Sequence, residues 1–198
     1  MAVIERNLKL LFRSRLLLCC LLLIVPLTMK GQRRVQTQLQ PKVLAEMMLA
    51  EKKVGKLNDS IYIAYFVDSL SLKQTIGDKN SERKARFRAE MMGISELVFT
   101  NDPESNGENA TFEVTLSSRI DKEGGKASRS VTIQSVDHSW IWWIVVRLKE
   151  YGMKQTESEG AYIDLKGKGL YAGTGQGRGK YAGLGPHSIT IGCGFDKK

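Results

Sequence analysis

Few side chains in this chain are placed to do chemistry: there are two His and three Cys in 198 residues. Asp137, His138 and Ser139 stand in a row, whereas the members of an acid–base–nucleophile triad come from separate elements and meet in space. His187 and Cys193 would make a thiol–imidazole pair only if the strand between them folded back. Both lie in a glycine-rich stretch, a poor platform for a rigid catalytic constellation. A small secreted hydrolase using Cys193 is therefore the last of three functional readings, and no catalytic residue is assigned. No paired-Cys, His-x-x-x-His or Asp-rich loop spacing is present, so neither a metal nor another cofactor is expected.

The sequence points to contact more than to catalysis. Gly167–Gln176 reads GKGLYAGTGQ and Gly177–Pro186 reads GRGKYAGLGP, which align at a period of ten with six identities. Lys168 aligns with Arg178, and Tyr171 with Tyr181. Ten of the nineteen glycines lie between Gly167 and Gly194, and Leu165 to Phe195 holds four basic residues and no acid. Each copy spells GxGxxA, close to the dinucleotide fingerprint. That fingerprint works only where a helix follows and offers its N-terminus to pyrophosphate. Glycine continues here until Pro186, so no helix follows and nucleotide binding is rejected. Three readings remain. One is a backbone-amide cradle for anions, aided by Lys166, Lys168, Arg178 and Lys180. Another is a nucleic-acid tract with tyrosines stacked on bases. The third is a flexible tail or long hairpin anchored by two tyrosines. The expected partner-binding residues are Lys168, Tyr171, Arg178, Lys180 and Tyr181.

Two further stretches carry contact chemistry. Trp140, Trp142 and Trp143, beside Arg147 and Lys149, suit a membrane interface, a sugar ring or a hydrophobic core. Lys79, Arg83, Lys84, Arg86 and Arg88 place five cations in ten residues. On a helix they fall around most of the circumference, which fits a solvated surface better than a groove-tracking stripe. Asn58-Asp-Ser60 and Asn109-Ala-Thr111 match the glycosylation acceptor pattern, which matters only in a eukaryotic secretory route.

The elements that must position these residues are unevenly legible. Arg33 to Gly55 predicts a helix, with Pro41 in its first turn and Gly55 as a left-handed cap. Ile61 to Val67 fits strand or helix, and the absence of a turn signal from Ser69 to Gln74 favours helix, capped by Asp59 or Ser60. Ser81 to Met92 predicts a further helix, capped by Asn80 or Ser81. Ala110 to Leu116 and Ser130 to Val136 alternate apolar and polar residues around Gly124-Gly125, which predicts a β-hairpin. Asn101 to Asn109 reads as a surface loop. Trp140 to Val146 is apolar on both faces, and periodicity cannot decide between strand and helix.

The N-terminus reads as an export signal. Arg6, Lys9, Arg13 and Arg15 precede Leu16 to Leu27, twelve uncharged residues followed by a polar exit at Gly31. Twelve residues span about 18 Å as a helix, short of a bilayer core of about 30 Å, so cleavage is preferred to an anchor. Removing residues 1–31 takes away five basic residues and one acid and lowers the net charge from +9 to +5. It also leaves Cys193 as the single thiol, so no disulfide can staple the chain.

The expected architecture is α+β, with N-terminal helices packed on a small antiparallel sheet and a glycine-rich C-terminal segment. The divisions are residues 1–31 (signal peptide), 32–165 (α+β domain) and 166–198 (glycine-rich basic segment). The expected function is that of a non-catalytic exported protein of the periplasm or cell envelope, an assembly or accessory factor binding another macromolecule. Its partner would be another envelope protein or an anionic polymer, with membrane-surface contact through Trp140, Trp142 and Trp143 as an additional mode. The alternatives are a basic nucleic-acid-binding accessory protein of a DNA-transfer apparatus and the small hydrolase.

Overall fold

Two four-stranded meanders share one antiparallel sheet. The computed structural model describes residues 39–75, 79–102, 110–121, 125–164 and 167–196, and the backbone alone for 79–85. The expected signal peptide lies outside the described residues, as does most of the expected loop at 101–109.

Helix α1 is Pro41–Val54, with proline in its first turn and Lys52 and Lys53 in its last. Its N-cap Gln40 makes no side-chain cap; instead the Gln40 N–H donates to the Tyr65 hydroxyl, 2.9 Å away. Gly55 ends the helix at φ 76°, donating its N–H to Glu51 O at 2.7 Å. Pro41 in the first turn and the left-handed stop at Gly55 are as expected, but Leu39 and Gln40 precede the helix, and the rest of the expected stretch from Arg33 lies outside the described residues. Helix α2, Asp59–Ala64, begins where the Asn58 side chain accepts from Ser60 N, one residue before the expected cap, and widens into a π-turn over Tyr65–Ser69. Its apolar residues therefore point inward at Tyr62, Phe66 and Leu70, all buried. Strand β1 is Lys73–Gln74, helix α3 Lys79–Met92 and strand β2 Ile94–Thr100.

Strands β3, Phe112–Ile120, and β4, Lys126–Ser135, form the expected hairpin, longer than the alternating core predicted. Helix α4, His138–Glu150, resolves the tryptophan-rich stretch as helix. Asp137 is its cap, accepting from the Ser139 N–H at 3.0 Å. The buried residues Trp140, Ile141, Ile144, Val145 and Leu148 form one stripe, the spacing of a helix packed on one side. Strands β5 (Met153–Gln155), β6 (Ala161–Asp164), β7 (Leu170–Gly175) and β8 (Ser188–Asp196) complete the chain.

The strand order is β1-β2-β3-β4-β8-β7-β6-β5. Helix α4 carries the chain from the middle of the sheet to its far edge, and β5 to β8 return step by step until β8 lies beside β4. The glycine-rich segment is thus no appendage. It supplies β7 and the interior strand β8, and the sheet is larger than the small one expected. The chain remains a mixture of helices and one antiparallel sheet.

One sheet face is covered and apolar. Phe112, Val114 and Leu116 of β3 share it with Val131 and Ile133 of β4 and with Ile189 and Ile191 of β8. Phe112 meets Trp140 of α4 edge-on at 5.0 Å, and Phe99 of β2 meets Phe66 at 5.1 Å. At about 25 cal/mol per Å² of apolar surface removed from water, rings of this size dominate the driving force for folding. Amid this core Arg129 of β4 is 1% exposed. It donates to both Glu51 oxygens at 2.8 and 3.1 Å, pairs with Asp59 at 2.7 Å and lies 4.9 Å from the Tyr62 ring centroid. Burial alone would weaken the Arg129 charge, but Glu51 and Asp59 outweigh it and hold the guanidinium firmly protonated. Burial and the neighbouring Glu51, to which its hydroxyl donates at 2.9 Å, keep Tyr62 neutral well above the usual phenol range. One buried cation thereby ties α1, α2 and β4 into a single arrangement.

The other face is polar. Thr115, Ser117, Ser128, Ser130, Thr132, Ser188 and Thr190 stand on it half-buried, and the hydroxyls of Thr132 and Thr190 lie 2.9 Å apart.

Candidate binding surface

The connection between β7 and β8, residues 176–187, holds the second decapeptide and is folded down onto the body. Tyr181, in a single 3-10 turn over Gly179–Tyr181, is 4% exposed, and its hydroxyl donates to Ala110 O at 3.5 Å. The Arg178 N–H donates to the Gln134 side chain at 3.0 Å, and Gln134 in turn donates to Glu113 at 3.2 Å. The Gly183 N–H returns to Gln176 O at 3.2 Å. His187 closes the connection: its N–H donates to Gly175 O, its carbonyl accepts from the Ser135 N–H, and its Nδ1 lies 2.9 Å from Ser135 O. The loop tip is Leu184, 96% exposed, and the side chains of Arg178 and Lys180 are exposed beside it. The Lys180 ammonium lies 5.1 Å from the Tyr181 ring centroid. Burial, helped by the Glu113 charge, holds the Tyr181 phenol neutral far above its usual range.

Beside this loop an open cleft of about 380 Å³ runs between α4 and the ends of β5, β6 and β7. Its exposed aromatic is Trp142, 48% exposed because it falls two residues past the buried Trp140, on the outer side of the α4 stripe. Tyr162 of β6, 2% exposed, lines the cleft with Gln155, Glu159, Thr174 and Gln176. The β5–β6 turn brings Glu159 into place: Thr156 and Ala161 close it, and the Thr174 N–H donates to Gly160 O at 2.8 Å. Gly160, Gly175 and Gly185 also line the cleft, and a Cβ on Gly160 would collide with the Thr174 hydroxyl.

The five residues expected to form one contact are not brought together. Arg178, Lys180 and Tyr181 share the β7–β8 loop, but Tyr181 faces the core and its ring is not available to stack on a ligand. Tyr171 is 43% exposed on the polar sheet face, where its ring lies across Gly192 so closely that a Cβ there would collide with it. Lys168 lies at the opposite end of β7, where its carbonyl accepts from Lys52 Nζ at 2.7 Å and its N–H donates to Asp164 at 2.9 Å. The three tryptophans are also separated. Trp140 is in the core and unavailable to a membrane surface, Trp142 lines the cleft, and Trp143 lies under Arg147 at 5.2 Å. Of the five clustered cations, Arg86 is exposed and Arg88 pairs with Glu96 at 2.6 Å. The side chains of Lys79, Arg83 and Lys84 lie outside the described residues.

Cys193 is fully buried, and burial raises its thiol pKa against a partial offset from Lys52. His187 is six residues away along an extended strand, about 20 Å, so the two do not form a thiol–imidazole pair. Asp137 is occupied as a helix cap, and His138 meets the His187 ring at 5.7 Å. Among the described residues no group of three or more His, Cys, Asp or Glu is placed to hold a metal ion. No helix among them is long and apolar enough to cross a membrane.

Trp142 was singled out by the sequence only as one of three rings. Gln155, Glu159 and Gln176 carried no signal, because they become neighbours only when the second meander folds. Comparison with protein-family models, curated proteins and solved structures returned no match.

Proposed function

We propose that this chain is a non-catalytic, exported protein of the cell envelope or periplasm that binds another macromolecule, an envelope polymer or protein presenting negative charge. The observation that carries the reading is the β7–β8 loop. Exposed Leu184, Arg178 and Lys180 sit on a backbone pinned by Tyr181, Gln134 and His187. Little ordering entropy is therefore lost when a partner docks. An exposed leucine flanked by cations is a contact surface with an apolar centre and a charged rim.

The test is binding of the full chain to purified envelope fragments, compared with a variant carrying Arg178→Glu, Lys180→Glu and Leu184→Ser. The substituted side chains are exposed, so the fold is retained and circular dichroism checks it. Loss of affinity by about tenfold or more, some 1.4 kcal/mol, is expected. Equal binding by both proteins would overturn the reading. Tight binding to duplex DNA that collapses between low and moderate salt would instead favour the nucleic-acid alternative. Export is checked by the N-terminus of the protein in cells, expected near Gln32. Intact Met1 in the cytosolic fraction would be the contrary result.

A further inference from the structure

The cleft beside the loop has a ligand chemistry of its own, and we infer that it is a subsite for one uncharged sugar ring of a glycan; this rests on the macromolecule-binding reading above and names the kind of polymer bound. Trp142 offers an accessible indole face, on which the weakly positive C–H bonds of a pyranose can rest against the negative π-cloud. Around it Gln155, Glu159 and Gln176 supply planar amide and carboxylate groups, each able to take two adjacent hydroxyls, and the Thr174 hydroxyl, which donates to Gly160 O at 3.4 Å, adds an acceptor. A purely apolar ligand would leave these groups unpaired, which is costly once water is displaced. Glu159 is the one charged side chain lining the cleft among the described residues, so an acidic ring is repelled. The volume of about 380 Å³ falls in the usual range for small-ligand clefts, roughly 300–1,000 Å³. Tyr162 is held in place from the α4 side, where the Lys149 ammonium lies 5.7 Å from its ring centroid.

The experiment titrates the full chain with neutral β-1,4-linked tetrasaccharides of glucose and of N-acetylglucosamine, with tetragalacturonate as the charged control. It reads tryptophan emission and calorimetric heat. Saturable binding of at least one neutral oligosaccharide is expected, whereas any binding of the acidic one should be indifferent to Trp142→Ala and lost with Arg178→Glu/Lys180→Glu. Trp142→Ala should weaken binding about tenfold or more, and Trp142→Phe less, since a smaller face is kept. The Arg178→Glu/Lys180→Glu variant should bind the oligosaccharide within about twofold of wild type, because both cations lie outside the cleft. Failure of both neutral oligosaccharides to bind, or binding that ignores Trp142→Ala, overturns the sugar subsite. If envelope fragments still bind through Arg178 and Lys180, the contact reading survives that failure. If fragment binding is also indifferent to those residues, both fall. Trp142-dependent sugar binding without fragment binding keeps the subsite and removes only the charged contact.

Discussion

The two decapeptides share six of ten residues and take different structures. In both, the first two glycines adopt positive φ, at 67° and 83° for Gly167 and Gly169 and at 79° and 56° for Gly177 and Gly179. The chains then diverge. The first copy runs into β7 and pairs with β6 and β8, leaving Tyr171 on the polar sheet face. The second finds no strand beside it, tightens into a 3-10 turn and drives Tyr181 into the core. Tyr171 is 43% exposed and Tyr181 is 4% exposed. A repeated sequence thus specifies a repeated local bend, while the environment chooses between strand and turn. One copy becomes framework, and the other becomes the platform for the proposed contact.

The sharpest way to break this contrast is to remove each ring. Tyr181→Ala should cost about 3–5 kcal/mol in denaturant melts, the range for deleting a large buried aromatic. Tyr171→Ala should cost under about 1 kcal/mol, as expected of a half-exposed side chain. Equal costs would mean that the two copies are equivalent. A smaller difference is expected at the leading glycines. Gly177→Ala forces a Cβ against the Tyr181 carbonyl as well as into a left-handed backbone, whereas Gly167→Ala meets open space. The first should lose roughly 2 kcal/mol and the second about 1 kcal/mol in the same assay. Binding separates the copies at similar scale: Lys168→Glu should leave envelope-fragment affinity within about twofold, against tenfold for the Arg178/Lys180 pair.

The smallest effect is with pH. Tyr181 and Tyr171 are both held neutral above the usual phenol range, burial being the main cause in each. An unfolded phenol ionises near pH 10, so above that point the unfolded chain carries fewer protons than the folded one. Stability contributed by these groups is therefore complete below about pH 10 and declines as pH rises further. Tyr181→Phe should flatten the decline seen in melts between pH 9.5 and 11. An unchanged slope would show that Tyr181 is not sequestered from water.

The contrast also explains which elements could be read from the residues. Pro41 and Gly55 bound a helix because each acts through its own backbone: one lacks an N–H that would go unpaired, the other tolerates positive φ. The alternation of Phe112, Val114 and Leu116 required only that one sheet face be wet. In contrast, Trp140 to Val146 is apolar all round, and its helix is apparent only once Trp140 packs on Phe112 and Trp142 is left outside. Strand β2 was not foreseen at all: neither Glu96, which pairs with Arg88, nor Phe99, which packs on Phe66, advertises its partner locally. Of the expected contact residues, Arg178 and Lys180 lie on the loop beside the cleft, while Tyr181 turned inward and Lys168 and Tyr171 lie elsewhere.

Caps, turns and the face periodicity of α1, β3 and β4 were written into a few consecutive residues, since backbone dihedrals and side-chain direction are local properties. The place of the glycine-rich end was not. Strand β7, with two glycines in six residues, has little preference of its own, and β8, although Ile189, Thr190 and Ile191 favour a strand, becomes an interior one because β4 and β7 offer ladders on either side and α1 and α4 cover its apolar face. Those partners, the burial of Arg129 among Glu51, Asp59 and Tyr62, and the cleft around Trp142 all depend on residues far apart in the chain. Only the folded molecule brings them within bonding distance.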